Sequence, residues 1–166
     1  MPKINLTRLI AASVMLIAVA ACATGPKPVF HSFSYGGSGE DRGVEILNYR
    51  YGDSKLPVTR ADDAWLADGH IAQANGIGGL FPVGDSLYVK WRVISTGKVY
   101  EDTVDLKSRL PSDMDHKRIH FLIKGSQLYV YLITKHGHNP EGPDCPVYTY
   151  RDYGCALLYP EHWQNF

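Results

Sequence analysis

The chain has 166 residues with 17 basic and 17 acidic side chains, a formal charge of zero when the histidines are neutral. That length fits a single domain, and the absence of a basic excess gives no electrostatic footprint for nucleic acid, which is therefore not expected as a partner. Three cysteines, 11 tyrosines and 16 glycines are the compositional features that call for explanation.

At the N-terminus, Lys3 and Arg8 lead into an apolar run from Leu9 to Ala21. As a helix this run would reach about 20 Å at roughly 1.5 Å per residue, short of the roughly 30 Å hydrocarbon core of a bilayer. A positive head, an apolar centre and small residues at the end predict a secretory signal instead. The run closes on Val19-Ala20-Ala21-Cys22, which resembles the lipobox of bacterial lipoproteins, in which the cysteine is acylated and becomes the first residue of the mature chain. The resemblance implies a signal peptide over residues 1–21, lipidation (palmitate or a similar chain) at Cys22, and attachment to the membrane through N-terminal acyl chains. Several chains anchor stably because each buried methylene contributes about 0.8 kcal/mol. Ala23, where an aspartate would mark retention in the inner membrane, implies the outer membrane with the domain facing the periplasm. The alternative is an ordinary secretory signal with Cys22 an incidental thiol.

Removal of residues 1–21 leaves 145 residues carrying 15 basic and 17 acidic side chains. Residues 22–42 hold "TGPKP" and "YGGSG" with little periodicity and read as a membrane tether. Residues 43–166 read as one β-rich domain. In an oxidising compartment Cys145 and Cys155 are expected to form a disulfide, with two free thiols as the alternative.

Within that domain "VEILNYRY" reads as a strand, and "SLYVKWRV" shows the period of two of a half-buried one, Leu87, Val89, Trp91 and Val93 alternating with Tyr88, Lys90 and Arg92. Gly97 supplies a turn into a return strand from about Val99 to Leu106. A second hairpin places Ile119, Phe121 and Ile123 opposite Leu128, Val130 and Leu132, with Gly125-Ser126 suited to a type II′ turn. "PVYTYRDYGCALLYP" reads as further strand. "RADDAWLADGHIAQ" is the one helix candidate, capped by Thr59 or Asp62 and interrupted by Gly69, and "ANGIGGLFPVGD" reads as a flexible loop. The fold class expected is mainly β: an antiparallel β-sandwich or strongly twisted sheet built of hairpins, with at most one short helix.

Motifs that carry chemistry are weak. His136 and His138, with Glu141, Asp144, His116 and His120, have zinc-ligand types but no diagnostic spacing, so no metal or other cofactor is expected. The glycines of residues 74–85 lack the Gly-Lys-Ser/Thr of a phosphate loop. Ser54, Ser86, Ser95, Ser112 and Ser126 lie outside any Gly-x-Ser-x-Gly turn. Glu101, Asp102 and Asp105 are near one another in sequence, as paired acid and base carboxylates are, but read as a solvated hairpin face. No catalytic residue is assigned. Tyr88, Tyr129 and Tyr131 alternate with the aliphatic positions and are the candidate contact residues for a protein partner, unless they belong to a second core layer.

The block "LYVKWRVISTGKVYEDTVDLKSRLP" followed by "RIHFLIKGSQLYVYLIT", about residues 86–134, resembles small lipoproteins of Gram-negative bacteria, some of them encoded beside toxic lipase effectors of type VI secretion systems. The resemblance implies an immunity protein that binds and neutralises a secreted phospholipase, and it identifies no site residue. The competing readings are a structural or assembly lipoprotein that binds another envelope protein, and a ligand-binding or hydrolytic module built on the loop of residues 136–144.

Overall fold

A computed structural model describes residues 27–36, 43–53, 56, 59–72, 76–135, 150 and 152–161. Eight strands and one short helix follow in the order β1 (Val29–Tyr35), β2 (Val44–Tyr51), α1 (Asp63–Ala67), β3 (Ile77–Phe81), β4 (Ser86–Val93), β5 (Val99–Asp105), β6 (Arg118–Lys124), β7 (Gln127–Thr134) and β8 (Gly154–Tyr159). They form a five-stranded sheet in the order β3-β1-β6-β7-β8 and a three-stranded sheet in the order β2-β4-β5. Every neighbouring pair is antiparallel except β1 and β6, which run parallel. The mainly β class and the sandwich architecture expected from the alternation are those observed.

The alternation explains why the sheets pack. Leu87, Val89 and Trp91 of β4 and Tyr49 and Tyr51 of β2 turn inward from the small sheet, while Phe33, Ile119, Phe121, Ile123, Leu128, Val130 and Leu132 turn inward from the large one. In the β6–β7 hairpin Ile119, Phe121 and Ile123 stand directly opposite Leu132, Val130 and Leu128. Gly125 takes φ +57° while Ser126 does not adopt a positive φ, the pattern of a type II′ turn. The layers are joined by aromatic contacts, with the Phe33 and Tyr51 rings stacked 4.8 Å apart at 2°. Polar contacts join them as well: the Trp91 indole N–H donates to the Gly125 carbonyl at 3.0 Å, and the Tyr159 hydroxyl donates to Asp102 at 2.6 Å.

Three sequence expectations change. The tether assigned to residues 22–42 contains β1, whose Phe33 is fully buried, so the folded unit already includes Val29. Here the inward positions are His31, Phe33 and Tyr35, and the outward ones include Phe30, so hydrophobicity does not alternate cleanly and the strand is hidden from pattern reading. The glycine-rich stretch assigned to a loop contains β3, paired with β1 from Val29↔Phe81 to Phe33↔Ile77. Glycines let the chain enter it close to β1: a Cβ on Gly76, just before the strand at φ +135°, would come within 2.6 Å of the Ser34 Cβ, and one on Gly78 within 3.0 Å of the Ser32 hydroxyl. The helix shrinks to the five residues of α1, with the Asp62 carboxylate accepting from the amides of Ala64 and Trp65, and Gly69 at φ +81° ends the turn that follows.

Two glycines bring loops from both sheets into contact. Gly52, just after β2, faces Gly84, between β3 and β4, and a Cβ on Gly84 would stand 2.6 Å from the Tyr51 ring and 2.9 Å from the Gly52 amide nitrogen. Gly84→Ala is expected to lower stability by about 1–3 kcal/mol through this overpacking. Chemical denaturation measures it, and an unchanged midpoint would show that the loops are not held in contact.

Candidate partner-binding surface

The outer face of the five-stranded sheet divides into a covered half and an open half. On the β6–β7–β8 side, Leu122, Tyr129, Tyr131 and Ile133 form a second buried cluster against which Tyr150, Cys155 and Leu157 pack. Tyr129 is 8% exposed and Tyr131 2%. These two tyrosines, expected as partner contacts, are therefore part of a second core layer, because a sheet face this apolar is covered rather than left in water. Tyr88 is half-buried on the outer face of the small sheet, its hydroxyl donating to Glu101 at 3.0 Å. Burial and the Glu101 carboxylate both hold the Tyr88 hydroxyl above its usual pKa. The structure thus separates Tyr88 from Tyr129 and Tyr131, which lie on different sheets.

On the β1–β3 side the same outer face is open at the end where Phe30 and Leu80 stand, while Ser34 at the other end of β1 is buried. Phe30 and Leu80 stand directly opposite each other in the β1–β3 register and are 45% and 73% exposed. The His116 ring lies against Phe30 at 5.1 Å, and the His116 amide donates to the Phe30 carbonyl at 2.7 Å. Strand β3 is also a sheet edge. Exposed edges are ordinarily blunted by charge. Edge strand β5 carries Glu101, Asp102 and Asp105 and edge strand β2 carries Glu45 and Arg50, whereas β3 reads Ile-Gly-Gly-Leu-Phe with no charge at all. The fourth edge, β8, is likewise uncharged, but its exposed residue is Ala156 and its Leu158 is buried. Among the described residues, an apolar pair beside an unblunted edge is the surface most suited to pairing with an extended segment of another chain.

A hollow of about 610 Å3 begins where β3 ends. Pro82, Val83, Leu110 and Pro111 give it apolar walls, with Asp53 and Lys107 among its polar lining. It can take an apolar side chain, and no nucleophile hydrogen-bonded to a base lines it among the described residues.

The candidate chemical groups fall apart on inspection. Glu101 and Asp102 are neighbours on a strand and diverge, Glu101 meeting Lys90 and Tyr88 while Asp102 meets Tyr159. Asp105 is occupied by the Lys107 amide and the Ser108 hydroxyl, and these bonds lower its pKa. His116 is exposed beside Asp115, while His120 is 1% exposed. Among the described residues no group of three His, Cys, Asp or Glu side chains is placed to hold a metal ion. His136, His138, Glu141, Asp144, Cys145 and Cys22 lie outside the described residues. Cys155 of β8 is disulfide-bonded.

One pair escaped the sequence reading because Ser34 fell in the supposed tether. The Ser34 hydroxyl and His120 Nδ1 are 2.9 Å apart, a distance that also serves nucleophile and base in hydrolases. Both residues are buried, at 2% and 1% exposure, so no substrate reaches them. His120 is flanked by the Tyr150 ring and by Arg118, whose guanidinium donates to the Tyr150 hydroxyl at 2.6 Å. The pair is a structural hydrogen bond. A second buried histidine, His31, donates from Nδ1 to the Val29 carbonyl at 2.9 Å, which leaves Nε2 to accept from the Tyr51 hydroxyl at 3.1 Å. Burial lowers the His31 pKa and raises that of Tyr51 to about 12.

No protein-family model, curated protein or solved structure matches the chain, so the surfaces above stand on geometry alone.

Burial, with a smaller contribution from Arg118, depresses the His120 pKa from 6.5 to about 4. The unfolded chain therefore binds the extra proton between these values, so stability is full above about pH 6.5 and falls as pH drops towards 4. The loss is on the order of 3 kcal/mol, and His31 adds to it in the same direction. Denaturation midpoints between pH 7 and 4.5 should fall for the parent protein and fall less for His120→Asn. Parallel profiles would mean that His120 takes up its proton as readily in the folded as in the unfolded state.

Proposed function

We propose that the chain is a lipid-anchored protein of the outer membrane, facing the periplasm, that binds and neutralises a toxic secreted phospholipase, acting as a binder and not as an enzyme. The observation that carries the binding reading is the open β3 edge with Leu80 and Phe30 beside it. An extended segment of the effector adds to β3 as a further strand, its backbone satisfying the unpaired edge groups and its apolar side chains covering Leu80 and Phe30. Support for the anchor comes from the lipobox resemblance at Cys22, and the bridge at Cys155 is assigned to Cys145. Tethering to the membrane that the effector attacks raises the local concentration of inhibitor, so capture does not depend on affinity alone.

The direct test is a tagged pull-down from detergent-solubilised envelopes of the native host, with mass spectrometry of what co-purifies. A stoichiometric lipase is the expected result, and recovery of envelope-assembly proteins alone would replace immunity with the structural reading. Leu80→Lys should reduce capture at least about tenfold, a loss of roughly 1.4 kcal/mol, while leaving the unfolding midpoint unchanged, because Leu80 is 73% exposed. Undiminished capture by that variant would remove β3 from the interface. Cys22→Ser should move the protein from the membrane to the soluble periplasmic fraction, and its retention on membranes after a high-salt wash would contradict the acyl anchor.

A further inference from the structure

On the far side of the molecule, the outer face of the small sheet carries a feature that the partner-binding reading does not use. Arg50 of β2 is bridged to Arg60 in an isolated antiparallel pairing, and the Ala61 amide donates to the Tyr49 carbonyl at 3.0 Å beside it. Residues directly opposite in an antiparallel bridge project their side chains to the same face with Cβ atoms about 5 Å apart, and like charges there repel. The neighbouring charges on this face are neutralised in pairs, Arg92 with Glu45 at 3.0 Å and Lys90 with Glu101 at 3.6 Å. Neither Arg50 nor Arg60 has a carboxylate within 4.0 Å among the described residues.

The two arginines line a hollow of about 290 Å3 together with Asn48, Tyr49, Asp63 and Tyr88. Asp63 is the acidic group in that lining and forms no ion pair with either arginine, which leaves the hollow with one net positive charge. The adjacent Asp62 carboxylate is committed to the amides of α1, and the Glu101 carboxylate to Lys90 and Tyr88. A pair of like charges held together by backbone pairing and lacking a counter-ion is stabilised by an anion that bridges them.

We propose that Arg50 and Arg60 form a binding site for the phosphate group of a phosphoester. One guanidinium fork satisfies both oxygens of a carboxylate, whereas a phosphate has enough acceptor oxygens to engage two forks at once. Asn48 adds a neutral amide to the same lining, and the hollow has room for a phosphate with a small ester group. The phosphate is supplied either by a soluble phosphoester or by a lipid headgroup at the membrane surface. This site is independent of β3 and of the identity of any protein partner.

The test uses the full chain carrying Cys22→Ser, so that acyl chains do not contribute, alongside the same chain with Arg50→Gln and Arg60→Gln. Inorganic phosphate and glycerol 3-phosphate are titrated by calorimetry, with acetate as the carboxylate control, and phosphatidylglycerol vesicles are assayed by co-sedimentation. Binding of phosphate at millimolar concentration, weakened at least about tenfold in the double-glutamine variant and absent for acetate, is the expected result. Arginine-dependent sedimentation with the vesicles then assigns the source to a lipid headgroup, and binding of glycerol 3-phosphate without sedimentation assigns it to a soluble phosphoester. Equal phosphate binding by parent and variant, equal response to acetate, or no phosphate binding at all would overturn the site. Each glutamine variant is checked for an unchanged fold by its unfolding midpoint.

Discussion

The burial of aromatic rings between two unequal sheets is the constraint on which the rest of this molecule depends. Phe33 from the large sheet stacks on Tyr51 from the small one, and Phe121 lies 5.9 Å from Phe33 on the same inner face. Removing such a ring from a packed core costs on the order of 3–5 kcal/mol, a large part of the net stability of a domain this size. The inner faces are thereby fixed, and with them the outer ones, because a register slip of one residue would exchange the two. What the protein offers to other molecules is what the alternation leaves outside: Phe30, Leu80 and Tyr131 on the large sheet, Arg50, Tyr88 and Lys90 on the small one. Of these, Tyr131 is withdrawn into a second buried layer, and the others remain at the surface or half-buried there.

Legibility in the sequence followed the clarity of the alternation. In β4 and in the β6–β7 hairpin, every second residue is aliphatic or aromatic, the turns carry glycine, and the boundaries expected are those found. Strand β1 was hidden because a buried histidine stands at one inward position while an exposed phenylalanine stands at an outward one. His31 is tolerated inside only because the Val29 carbonyl and the Tyr51 hydroxyl satisfy both ring nitrogens, a pairing across 20 residues that no local pattern reveals. Strand β3 was hidden by Gly78 and Gly79, which signal a loop in isolation; a Cβ on Gly78 would stand 3.0 Å from the Ser32 hydroxyl of β1, while Gly79 faces open space. The tyrosines of β7 were legible as facing away from the main core, but the sequence does not say that this second face is covered as well.

Two surfaces of opposite character result. The open half of the large sheet's outer face is apolar and uncharged at its edge, which suits backbone pairing and the exclusion of water. The outer face of the small sheet is charged and nearly balanced, apart from the Arg50–Arg60 bridge. Their placement on opposite layers leaves the two surfaces free to act independently of one another. The buried histidines link this architecture to its surroundings in a different way, since both are held neutral by burial and both make the fold less stable on acidification.

The measurement that bears most directly on the account is amide hydrogen exchange of the protein alone and in complex with whatever partner it captures. Strand β3 should exchange faster than β1 and β6 in the free protein, since one of its edges has no strand beside it among the described residues. In the complex, protection should appear over residues 77–81. Protection confined to other strands, with β3 exchanging as in the free protein, would contradict the claim that the open edge is where this molecule binds.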